Sequence, residues 1–124
     1  MSWPSIQKAL VGHLTNRLGA RFATRVPANV ETLPRFGRVA RGPGVDDLVT
    51  DVVNVDVECF ATDYGDGETF AEETRQAFHA LSGAVAGGVL IDRVRTTSSP
   101  MWLDYKNPKT NRFVATYRVE YRQI

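Results

Sequence analysis

With 124 residues, 43% of them hydrophobic and 23% charged, the chain is long enough for one ordinary core and too short for two. No stretch approaches the roughly 18 consecutive apolar residues of a membrane span, the N-terminus has no apolar run ahead of a small-residue cleavage site, and Cys59 is the only cysteine, so the expected setting is a reducing cytoplasm without internal disulfides. A net charge of +1 argues against a strongly basic, nucleic-acid-coating protein.

In chain order, Ser2, Trp3 and Pro4 open a helix, with Ser2 as the expected N-cap and Pro4 in the first turn. Ile6, Leu10, Leu14 and Leu18 recur at a spacing of four beside Val11, and Gly19 supplies a left-handed stop. Residues 21–26 read as a short strand ended by Pro27. Residues 33–41 read as a second, where Pro34 and Gly37 suggest an edge or a bulge. Residues 41–50 are dense in turn formers and acids, which predicts a mobile loop. From residue 51 to 60 the alternation is strict: Val53, Val55, Val57 and Cys59 on one face, Asn54, Asp56 and Glu58 on the other. Residues 64–67 read as a turn with Asp66 capping the next helix, whose inner face is Phe70, Thr74, Ala77, Phe78 and Leu81.

Gly83 and the Gly87, Gly88 pair separate that helix from a strand over residues 89–97, and residues 98–111 form a long loop with two prolines, Trp102 and Tyr105. The last strand sets Phe113, Ala115, Tyr117, Val119 and Tyr121 against Arg112, Thr116, Arg118, Glu120 and Arg122. The expectation is a single α+β domain over residues 1–124, with a largely antiparallel or mixed sheet of about four to five strands and two amphipathic helices on one face. The other face, with Asp56, Glu58, Arg112, Arg118 and Arg122, is expected in water or against another subunit.

Catalytic and ligand motifs are weak. Cys59 lies on the apolar side of its strand, where a thiol is a small buried hydrophobe, and there is no Gly-x-Ser-x-Gly elbow. His13 and His79 have no His, Cys or acid at ligand spacing, and residues 63–68 fail the calcium-loop pattern because Gly65 and Gly67 stand where side-chain oxygens are needed. Gly83, Gly87 and Gly88 match no phosphate-binding fingerprint. No catalytic residue, metal ligand or cofactor is therefore expected.

What remains is surface. Arg35, Arg38 and Arg41 form a basic edge. Asp46 and Asp47 lie in one long loop, and Met101, Trp102, Tyr105, Lys106 and Lys109 in another, a composition found at contact surfaces. Trp102 could equally fold back over the sheet as a lid. Charge is segregated along the chain: residues 1–45 carry +6, residues 46–73 carry −10 and residues 74–124 carry +5. Such blocks either pair inside one fold, the preferred reading, or form complementary patches between copies.

The order of elements, with the wording of residues 33–44, the strand from Val52 to Phe60, the helix from Thr69 to Leu81 and the closing strand from Arg112 to Arg122, resembles the tail terminator (tail-completion) proteins of long-tailed siphophages over nearly the whole chain. The resemblance implies a non-enzymatic subunit that forms a homohexameric ring on the tail tube, stops tube polymerisation and offers a head-joining surface. The implied partners are a second copy of the chain, the tail tube protein and head–tail connector proteins, without membrane or specific nucleic-acid binding. The implied location is the virion tail, assembled in the host cytoplasm. In a ring, the stretch around Asp46, Asp47 and Asp51 is expected to face Arg35, Arg38 and Arg41 of the next subunit. Trp102, Tyr105, Lys106 and Lys109 complete the expected interface. The alternatives are a head-completion or connector-adaptor protein, and a small-ligand-binding α+β domain.

Overall fold

The computed structural model of the chain describes residues 3–124. Helix α1 spans Ile6–Leu18 and buries Ile6, Ala9, Leu10 and Leu14. Its N-cap is Ser5, whose hydroxyl accepts from the Lys8 N–H at 3.2 Å, so Pro4 precedes the cap instead of occupying the first turn. The cap expected at Ser2 lies outside the described residues. Gly19, at φ 66°, ends the helix as its spacing predicts, donating to the Thr15 carbonyl.

Strand β1 covers only Arg21–Ala23 and pairs in parallel with β2, Arg35–Asp46, which pairs antiparallel with β3, Asp51–Ala61. A single 3-10 turn, Val30–Thr32, lies between β1 and β2. Two expectations change here. Gly37 sits in regular register with Cys59, and its bare backbone is needed because a Cβ would collide with the Phe22 ring. The bulge lies further on, between Arg41 and Gly44, where β2 spends one more residue than β3. That extra residue absorbs Pro43, which has no N–H for the ladder. Residues 42–46 are therefore strand, and the expected mobile loop shrinks to the turn at residues 47–50.

Helix α2 spans Tyr64–His79. Residues 64–67 form its first turn, not a separate one, and the cap is Asp63, whose carboxylate accepts from the Asp66 N–H at 2.9 Å. Gly67 reads as a turn former in sequence but serves close packing, since a Cβ there would stand 2.8 Å from the Phe113 ring. Strand β4, Val85–Ala86, pairs with the start of β5, Val89–Leu103, and β5 pairs with β6, Asn111–Gln123. Half of the long loop expected over residues 98–111 is strand, since β5 continues to Leu103 and β6 begins at Asn111, which leaves residues 104–110 as the loop. Three register shifts between Ile91 and Met101 carry the chain past Ser98 and Pro100, and they erase the alternation by which a strand is recognised.

The sheet thus has six strands rather than four or five, in the order β1-β2-β3-β6-β5-β4, antiparallel except for β1–β2 and curled into a half-barrel. Both helices pack on one face. There the inner residues of β3 and β6 meet Phe70, Ala77, Phe78 and Leu81 of α2 and Leu10 and Leu14 of α1. Phe78 stacks on Tyr117 with centroids 4.3 Å apart, and burying each such side chain contributes about 1.5–3 kcal/mol. On the opposite face, Phe36 and Phe60 form a second, smaller core roofed by Val30, Leu33 and Tyr105. The alternation of β3 gives no hint of it, because Phe60 occupies a position on the polar face.

Candidate interaction surfaces

The three arginines of β2 are occupied within the chain. Arg35 reaches Asp66 at 2.6 Å and Glu73 at 3.0 Å, joining β2 to α2, with its guanidinium over the Phe70 ring. The bond from Arg35 holds the Asp66 carboxyl below the usual carboxylate range, and the same bond stabilises the guanidinium charge. Arg38 and Arg112 share Glu58, at 2.7 and 3.1 Å, on the face away from the helices. Arg41 approaches Asp51 at 3.2 Å, and Asp51 also accepts from the Tyr121 hydroxyl at 2.7 Å. Asp51 is only 4% exposed, so this pair and hydroxyl offset the desolvation of a buried carboxylate. Burial, helped by Asp51, pushes the Tyr121 hydroxyl up to about 12. The intramolecular pairing preferred on sequence grounds is what the fold makes of Arg35, Arg38, Arg41 and Asp51.

Asp46 and Asp47 behave differently. At the β2–β3 turn, Asp46 accepts from the Leu48 N–H at 3.0 Å, and Asp47 accepts from Val49 and Thr50 at 3.0 and 2.7 Å. The N–H groups of Thr50 and Val49 hold the Asp47 carboxyl below its ordinary range. This net of bonds fixes Leu48 at φ 75°, a left-handed conformation that side chains other than Gly and Asn rarely adopt. The turn therefore presents an ordered apolar tip: Val45, Leu48 and Val49 are 74, 89 and 61% exposed.

The opposite end of the sheet carries the other expected contact residues. Trp102 donates to Asn111 at 3.2 Å and lies near Tyr64, but remains 40% exposed beside Met101 and Leu103. With Tyr64, Phe113 and Pro100 it lines a groove of about 590 Å³ along α2, whose polar side includes Glu68 and Glu72. Trp102 is thus partly lid and partly surface. Tyr105 belongs to the small core, edge-on to Phe60 with Arg112 over its ring. Lys106 and Lys109 are exposed on the β5–β6 loop. Sequence reasoning missed Val45, Leu48, Val49 and Leu103 as surface apolar residues. The apolar pair directly after two aspartates was the available signal for the tip.

The groups that could do chemistry are engaged structurally. Burial pushes the Cys59 thiol up to about 12, with Thr74 at 3.6 Å. The His13 ring meets the Ala77 carbonyl and the His79 ring meets Thr96. Among the described residues no group of three or more His, Cys, Asp or Glu converges as a metal site.

No protein-family model and no curated protein matches the chain in sequence. Solved structures do match in fold. One is a chain from the virion of a native gene transfer agent (GTA) particle, which superposes with a TM-score of 0.62 over 95% of each chain at 11% identity. At that identity the likeness establishes a shared fold across the whole domain.

Proposed function

We propose that this chain is a non-enzymatic virion structural protein and, within that class, a tail terminator. In this reading it forms a homohexameric ring on the tail tube, halts polymerisation of the tube protein and presents a surface to the head–tail connector. The observation that carries the reading is the fold shared with the gene transfer agent virion chain, end to end in both chains. The composition of the surface supports it. Conspicuous apolar side chains stand at the two ends of the sheet, while the candidate nucleophile Cys59 is sealed in the core. Shape and interface complementarity would then be the work the protein performs.

The test is deletion of the gene in the particle that encodes it, followed by electron microscopy. A terminator predicts tails of uncontrolled length that do not join heads. Tails of normal length beside unjoined heads would instead favour a head-completion or connector-adaptor protein. Normal joined particles would sink the virion-assembly reading altogether.

A further inference from the structure

We propose that the two ends of the sheet are the two halves of one contact between copies of this chain. The β2–β3 tip of one copy seats against the β5 end and the β5–β6 loop of the next. The tip is a preformed apolar knob, with Leu48 and Val49 held outward by three bonds from backbone N–H groups to carboxylates. It is acidic as well: among the described residues neither Asp46 nor Asp47 takes part in an ion pair, whereas Arg35, Arg38 and Arg41 each already hold a carboxylate. The β5 end has the complementary character. Met101 and Leu103 are exposed there on the face away from α2, while Trp102 turns to the α2 side and its glutamate-lined groove. The adjoining loop carries Lys106 and Lys109 against one acid, Asp104, and neither lysine enters an ion pair among the described residues.

These two ends cannot meet inside one subunit. The 11-residue strand β3 runs between them, a separation of about 33 Å at 3.3 Å per residue. An acidic apolar knob at one end and a basic apolar seat at the other is the pattern of a heterologous, head-to-tail contact, which closes into a ring or continues as a filament. In this contact Lys106 and Lys109, which lie at the opposite end of the strands, face Asp46 and Asp47 in place of the β2 arginines. The inference deepens the ring reading above and rests on it for closure of the contact into a ring.

The experiment is sedimentation velocity and native mass spectrometry of the full chain across concentration and salt. Wild type is expected to associate with concentration, more weakly as salt rises. Leu48→Gly keeps the turn, since glycine adopts the left-handed conformation freely, and is expected to weaken association at least tenfold with the fold intact by circular dichroism. Lys106→Glu/Lys109→Glu, which leaves the carboxylate bonds of the tip intact, should fail to associate alone, yet still add its tip to wild-type chains and cap their growth when the two are mixed. A wild-type chain that stays monomeric at every concentration overturns the inference. Association unchanged in both Leu48→Gly and Lys106→Glu/Lys109→Glu also overturns it, while leaving the ring reading standing. Tip-dependent association in a protein whose deletion leaves tails normal would do the reverse, removing the ring reading and keeping the contact.

Discussion

Leu48 shows how one residue can be out of place for its own chain. A leucine at φ 75° costs on the order of 1 kcal/mol relative to a glycine, and its side chain recovers none of that within the subunit, being 89% exposed; the turn is held by the bonds to Asp46 and Asp47, which a glycine would keep. Replacing it by glycine should therefore leave urea unfolding unchanged or raise stability by up to about 1 kcal/mol, even as it removes the apolar tip. Gly44 is the opposite case: a Cβ there would run into the Val52 carbonyl, a backbone atom that cannot step aside. Gly44→Ala should lower stability by about 1–3 kcal/mol in the same measurement. Cys59 gives a chemical readout. With its thiol pushed up to about 12 by burial, it should react with a disulfide reagent at pH 8 only as fast as the protein opens, and at once in denaturant. Its folded value lies above its unfolded one, so the associated stability is complete below about pH 9 and declines as the pH climbs from there towards 12.

At the scale of elements, the two helices are fixed by caps and by what they touch. Asp63 closes the first turn of α2, and Asp66 in that turn ties the helix to Arg35 on β2. Asp63→Ala should cost about 1 kcal/mol by thermal or urea unfolding, the usual worth of an N-cap. Acid should act on the same region. The folded carboxyls of Asp66 and Asp47 lie below the ordinary 3.8, so what they contribute is present above that pH and disappears as the pH falls through their folded values. Both groups are essentially in water, so a shallow loss of melting temperature below pH 4 is expected rather than a sharp transition. Strand β5 shows how an element can be hidden: it runs 15 residues, yet three register shifts let Ser98 and Pro100 read as loop.

Across the whole molecule, the charge blocks along the chain resolve into two different uses. Four carboxylates of the acidic block, Asp51, Glu58, Asp66 and Glu73, fold against arginines of β2 and β6 and hold sheet and helix together. Among the described residues outside any ion pair, Asp46 and Asp47 stand at one end of β3, and Lys106 and Lys109 lie on the loop at the other, so the two ends of the strands differ in charge. A directed subunit is what a ring with heterologous contacts requires, and it is why the association experiment and the deletion experiment bear on different links of the argument.

Much of this was determined by local chemistry and so was legible in the residues alone. The stripe of α1, the inner face of α2 and the alternation of β3 and β6 each depend on side chains a few positions apart, and the structure buries Leu10, Leu14, Phe70, Phe78, Val55 and Tyr117 as that spacing predicts. The antiparallel character of the sheet followed from the run of strands without intervening helices. Tertiary structure alone decided the rest. Whether Pro43 and Pro100 end a strand or ride in a bulge depends on the partner strand, not on the proline. Whether Gly37 and Gly67 mark turns depends on the Phe22 and Phe113 rings that arrive from elsewhere. Which carboxylate Arg35, Arg38 and Arg112 take is set by side chains tens of residues apart in sequence and under 4 Å apart in space, so these internal pairs could emerge only once the chain had closed on itself.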